Sequence, residues 1–282
     1  MKKPKYHLFA ALSSVSLVLG ILMTTVGGHF STVLTVAMEG STTNQEAAAD
    51  TYAAGLEMNK ELEREGIVLL KNENQSLPLS KGKVNVFGEH ASNMIYNGSG
   101  SAAGSAEGAV TIKEGLEAAG LEVNESLWSY IEENSKSATD TSVHEGNEVD
   151  ISNYPINEMS VDNYTGEYSF ENLKSYSDTA IVVIGRVGGE GQDLPRTGYG
   201  EDGSASYLEL SQNEKNLLKG LKDNGFHTIV LVNTSYAMEL GFLDSQEYGV
   251  EAALWVGGPG IAGATSIGDV LTGIITPSGR LV

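Results

Sequence analysis

Four short runs, Val84 to Phe87, Ile181 to Ile184, Thr228 to Val232 and Ala252 to Val256, constrain this chain more than any other feature. They are nearly continuous in apolar residues, rich in valine and isoleucine, and too short to be buried helices. Strands covered on both faces of a parallel sheet read this way. Stretches of helical spacing return the chain between them. Thr111 to Ala119 sets Ile112, Leu116 and Ala119 on one face ahead of Gly120. Ser211 and Glu214 make a capping-box pattern opening a helix that buries Leu217, Leu218 and Leu221, and a last helix runs from about Ile261 to Leu271. Strand, helix and strand in repetition imply right-handed crossovers. Residues 50–282 are therefore read as one α/β domain, an open, mostly parallel sheet with helices on both faces.

The rest of that span is less regular. Asp50 to Glu65, with Tyr52, Leu56 and Leu62, predicts a solvent-facing helix closed by Gly66, and Leu121 to Val123 predicts a short strand. Residues from about 124 to 177 break the alternation and are read as a long irregular insertion. Its tyrosines, Tyr130, Tyr154, Tyr164, Tyr168 and Tyr176, are expected to pack rather than to face a ligand, since aromatic side chains mostly serve burial.

Lys2, Lys3 and Lys5 precede a run from Leu8 to Gly28 without a charged residue. Roughly 20 apolar residues cross a bilayer as a helix. Residues 1–38 are thus expected to form one N-terminal transmembrane helix, a signal anchor that holds the domain outside the cytoplasm. A cleaved signal peptide with Thr35-Val36-Ala37 at its cleavage site is the rival reading, in which the protein is secreted. Residues 39–49 read as a linker.

Composition removes several function classes. With 37 acidic against 17 basic residues and a formal charge of −20, the chain repels phosphate backbones, so nucleic acid is not an expected partner. It has no cysteine, hence no thiolate nucleophile and no sulfur-ligated metal. His7, His29, His90, His144 and His227 show no paired metal spacing. Neither a metal nor another cofactor is called for.

Three motifs remain. Gly258-Pro259-Gly260-Ile261-Ala262-Gly263 has the GxGxxG spacing, but no second strand with an acidic end follows, so a tight turn that lets a helix pack closely is preferred to nucleotide binding. Asn97 to Ser101 is a glycine and serine loop that lacks the ending of a phosphate loop, and its amides and hydroxyls suit sugar hydroxyls equally. Glu190 stands among Gly188, Gly189 and Gly191 just beyond the strand at Ile181 to Ile184. A carboxyl at a strand's carboxyl end, on a loop free to approach a ligand, is a candidate for chemistry. On local grounds alone it is equally a solvated loop residue.

The run Glu65 to Glu73 followed by Leu77-Pro78-Leu79, the loop Gly189-Glu190-Gly191-Gln192-Asp193, and the closing Pro259-Gly260, Gly263, Asp269-Val270-Leu271, Gly273 and Pro277 to Leu281 together resemble the C-terminal-type α/β sandwich domain of glycoside hydrolase family 3. The resemblance implies a retaining, exo-acting β-glucosidase-like enzyme that hydrolyses β-linked glycosides. It implies Glu190 as the general acid/base, with Gly98, Ser99, Gly100 and Asp193 lining the substrate crevice. In that family the nucleophilic aspartate belongs to a (β/α)8 barrel, for which 282 residues leave no room beside the sandwich. The expectation is a fragment of a permuted protein, sandwich before barrel, that holds the acid/base half of the site and is inactive alone. A membrane-tethered carbohydrate-binding or scaffold module without catalysis is the alternative.

Overall fold

The computed structural model describes residues 4–31, 45–98, 104–134, 156, 158–188, 194, 206–234 and 236–281. The chain forms two compact units, Met1–Ala54 and Gly55–Val282.

In the first unit, helix α1 (Pro4–His29) exposes apolar side chains, among them Phe9, Leu12, Val15, Leu19 and Ile21. The Ser14 and Thr24 hydroxyls bond back to the carbonyls of Ala10 and Gly20, so neither needs an outside partner. The expected transmembrane helix is not supported, because among the described residues no helix is long and apolar enough to cross a membrane. Helix α2 (Gln45–Gly66) begins at Gln45, so part of the expected linker is helical.

The second unit is built on a six-stranded sheet of β1 (Val68–Asn72), β2 (Lys83–Phe87), β3 (Glu122–Val123), β4 (Thr179–Arg186), β5 (His227–Thr234) and β6 (Val250–Trp255). Their order is β1-β6-β5-β4-β2-β3, and every neighbouring pair is parallel except β1 with β6. The mostly parallel sheet is as expected. The antiparallel edge strand is an addition, formed by residues that are half-buried or exposed rather than enclosed. Beside it the chain's last segment returns, with the Gly279 N–H donating to the Ile67 carbonyl at 3.1 Å and the Ser278 hydroxyl to Glu65 at 3.2 Å.

Alternation along each strand feeds two cores. Ile181, Val183, Ile229 and Leu231 point to one face, where the short α3 (Glu89–Ser92), α4 (Ile112–Ala118) and α8 (Ala264–Leu271) cover them with Ala91, Ile112, Leu116, Ile267 and Leu271. Val182, Ile184, Val230 and Val232 point to the other, against Leu127 and Ile131 of α5 (Glu125–Asn134), Leu173 of α6 (Phe170–Tyr176), and Leu217, Leu218 and Leu221 of α7 (Gln212–Asp223). Both capping boxes form, Thr111 with Glu114 and Ser211 with Glu214.

The insertion is less irregular than its polar composition suggests. The buried Asn85 on β2 ties both of its ends to the sheet: its amide donates to the Leu173 and Ser177 carbonyls at 2.9 and 2.7 Å, and its oxygen accepts from Asn124 at 2.7 Å. Tyr164 is buried, stacked on Phe170 with ring centroids 5.2 Å apart, and Tyr130 stacks on Tyr168 at 3.9 Å. Tyr154 lies outside the described residues.

The GxGxxG segment acts through packing. Asn59 of α2 clasps its turn, donating to the Pro259 carbonyl at 2.7 Å and accepting from the Ala262 N–H at 2.9 Å. Beyond the turn, α8 meets α4 backbone to backbone, and a Cβ on Gly268 would strike the Gly115 carbonyl. Overpacking of this kind costs about 1 to 3 kcal/mol. Gly115→Ala and Gly268→Ala are each expected to lower the urea unfolding midpoint accordingly, whereas Gly55→Ala, with nothing near its Cβ, should leave it unchanged or raise it.

Candidate active site

The carboxyl ends of β2, β4, β5 and β6 lie along one edge of the sheet. From β2 the chain moves outward to β3, whereas from β4 it moves the other way, to β5 and then β6. The order therefore reverses between β2 and β4, which are hydrogen-bonded neighbours. Loops at such a switch point diverge and leave a crevice between them, the usual ligand site of an open α/β sheet. The loop after β2 leads through Asn97 to Gly98, and the loop after β4 leads through Gly188 toward position 190. The two glycine-rich stretches singled out in the sequence thus leave the sheet on either side of this point.

The β4 loop is clamped at both ends. Arg186, the last residue of the strand, is buried, and its guanidinium makes five hydrogen bonds. Two go to the Glu214 carboxylate at 2.8 and 2.7 Å, and the others to the carbonyls of Gly185, Tyr207 and Glu209 at 2.7, 2.7 and 2.6 Å. All five donors of the group are thereby used. The same Glu214 accepts the Ser211 N–H at 2.7 Å, so the helix cap and the arginine partner are one carboxylate. Tyr207 completes the clamp: its hydroxyl accepts from the Val187 N–H at 2.9 Å and donates to the Val187 carbonyl at 3.0 Å, an oxygen the Tyr236 hydroxyl also reaches. The segments that flank the loop, 186–188 and 206–209, are thus held together. Gly188 passes so close to the Tyr236 ring that a Cβ there would lie 2.5 Å from it.

The β2 loop is fixed as firmly. Gly88 takes φ 98°, and a Cβ there would collide with the Val183 carbonyl, so glycine is required where the chain turns off β2. His90 is buried against Gly185 of β4 with its Nδ1 3.1 Å from the Asn93 carbonyl, and burial lowers its pKa to about 4. Glu158, far along the chain, is buried where it accepts the Glu89 N–H at 2.9 Å, and burial raises its pKa to about 8. Asn233 at the end of β5 holds the outer part of the loop, accepting from the Ile95 N–H at 2.7 Å and donating to the carbonyls of Ile95 and Gly257 at 2.9 and 2.7 Å. The Gly260 N–H adds a bond to the Tyr96 carbonyl at 2.9 Å. Three strand ends are stitched into one rim.

Of the residues expected in the site, Gly98 stands half-buried at the end of this rim, next to Asn97, whose side chain packs against Gly104. Ser99, Gly100, Glu190 and Asp193 lie outside the described residues. Sequence reasoning missed Arg186, Tyr207, Asn233 and Glu158. The one available signal was Arg186 itself, a charge placed directly on the end of a buried strand. Among the described residues, no group of three or more histidine or acidic side chains could hold a metal ion.

The family model for the glycosyl hydrolase family 3 C-terminal domain matches residues 67–282. The chain belongs to that family. Over 229 residues it is 34% identical to a beta-glucosidase of Ruminococcus albus, covering 80% of this chain and 22% of that protein. It is 29% identical over 224 residues to a periplasmic beta-glucosidase of Salmonella typhimurium, covering 79% and 27%. Beta-glucosidase 3B of Thermotoga neapolitana, solved in complex with glucose, matches it with a TM-score of 0.62 and 30% identity over 79% of this chain and 29% of that one. The chain spans about a quarter of the length of these curated relatives.

Two outcomes test this family 3 site. Removing one partner of a buried ion pair strands the other, at a cost of about 3 to 5 kcal/mol, so Glu214→Gln should lower unfolding stability by that amount in urea titrations. A pH series tests the buried acids. Burial holds Glu63, like Glu158, at about 8 against an ordinary 4.5. Between those values the folded protein keeps protons that the unfolded chain has released, so stability is lost as pH rises toward 8. His90 works in the opposite sense, but only below its ordinary 6.5. From pH 6.5 to 8 the urea midpoint should therefore fall, and Glu158→Gln should flatten the fall.

Proposed function

We propose that this family 3 domain supplies the acid/base half of a retaining, exo-acting β-glucosidase site. The observation that carries the reading is the switch point between β2 and β4, where the Gly98 and Glu190 loops leave the sheet. The shared name beta-glucosidase of the R. albus, S. typhimurium and T. neapolitana proteins supports the reaction class. Glu190 protonates the glycosidic oxygen as it departs and then takes a proton from water, while a carboxylate on a (β/α)8 barrel acts as nucleophile about 5 to 5.5 Å away. Such an acid must remain protonated near neutral pH, which desolvation under bound sugar favours. Gly98, Ser99, Gly100 and Asp193 line the substrate side, and the Arg186 clamp fixes where the Glu190 loop starts and lands. The barrel is the domain's partner in this reading, and the substrate is a β-linked glycoside.

On the same reading the domain works outside the cytoplasm. Lys2, Lys3 and Lys5 ahead of the uncharged run Leu8 to Gly28 support export, as does the relative named a periplasmic enzyme. In fractionated cells the full chain is expected outside the cytoplasmic fraction and open to added protease in unlysed spheroplasts. Recovery in the cytoplasm would remove this part of the proposal.

Catalysis is tested with a chimera in which residues 67–282 replace the matching domain of the R. albus enzyme. It is expected to hydrolyse an aryl β-glucoside, and Glu190→Gln should lower kcat by at least about 100-fold. A folded chimera that is inactive, or one indifferent to that substitution, would sink the assignment.

A further inference from the structure

A second concavity lies where the turn into α7 meets the connection from β5 to β6. It has a volume of about 390 Å³ and is lined chiefly by Glu209, Lys215, Glu239, Phe242, Ser245 and Tyr248. That volume falls in the range of small-molecule sites, ~300 to 1,000 Å³. Phe242 and Tyr248 rest on the core beneath, so they form a fixed aromatic wall. Lys215 is only half-exposed, yet among the described residues it makes no ion pair, although two carboxylates share its cavity. The three charges are therefore spaced around an opening rather than closed upon one another.

We propose that this cavity binds a neutral sugar ring, stacked on Tyr248 and held through its hydroxyls by Lys215, Glu209 and Glu239. The donor and acceptor set selects that chemistry. Two carboxylates against one ammonium repel an anion, and the ammonium opposes a simple cation. A polyol that both donates and accepts can satisfy all three, with Ser245 adding a hydroxyl. The apolar face of a pyranose suits an aromatic wall that is already packed and loses little freedom on binding. One Glu209 oxygen accepts the Ser206 N–H at 3.2 Å, and the Glu209 carbonyl accepts from Arg186, so the carboxylate is presented from a rigid segment. The choice of a sugar over other polyols rests on the proposed glycosidase reading, and the cavity's binding chemistry does not.

The test is saturation-transfer NMR on the full chain with cellobiose. Transfer to the sugar ring protons is expected, with association about tenfold weaker for Tyr248→Ala and at least several-fold weaker for Lys215→Ala. Glu190→Gln should leave this binding unchanged, because it alters the other site. Should Tyr248→Ala fail to fold, Lys215→Ala on the surface decides alone. No transfer, undiminished binding in Lys215→Ala, or binding lost in Glu190→Gln would overturn the proposal. An inactive chimera with cavity binding intact removes only the catalytic reading, and an active chimera without cavity binding removes only this one.

Discussion

The buried pairing of Arg186 with Glu214 is the constraint on which the site depends. Taking two charges out of water costs several kcal/mol each, and the cost is recovered only when geometry and further hydrogen bonds are complete. Here they are: the guanidinium spends two donors on the carboxylate and three on carbonyls of residues 185, 207 and 209. An apolar pair of similar volume would fill the space without fixing those three carbonyls. The ion pair thus exchanges some stability for position. What it positions is the base of the loop that holds Glu190, together with the cap of α7.

Around it, the crevice rim depends on polar groups placed at strand ends. Asn233, His90 and Glu158 are all buried, and each makes hydrogen bonds to backbone atoms rather than reaching outward. His90 and Glu158 are kept neutral by burial at ordinary pH. These three groups therefore add little field of their own to the crevice.

The fold was largely legible in the sequence and the site only partly. Short, nearly continuous apolar runs revealed β2, β4, β5 and β6, and the spacing of Leu217, Leu218 and Leu221 behind Ser211 revealed α7, because burial and capping are written locally. The edge strand β1 escaped notice as a strand, since its residues sit half-exposed and carry Lys71. The order in the insertion escaped for another reason: it is imposed by Asn85, which lies about forty residues upstream of the first partner it holds. Arg186 and Glu214 could be read singly, as a charge at a strand end and as a capping residue, but their pairing across a loop is a tertiary fact. The transmembrane expectation rested on the uncharged run and the lysines before it, and among the described residues no helix is long and apolar enough to carry it.

The antiparallel course of β1 brings the domain's first strand back to its last segment, where Gly279 bonds to Ile67 and Ser278 to Glu65. Residues 65–67 and 278–279 thus meet at one corner of the sheet. A module with that property can be joined to a longer chain on that side without disturbing its own sheet.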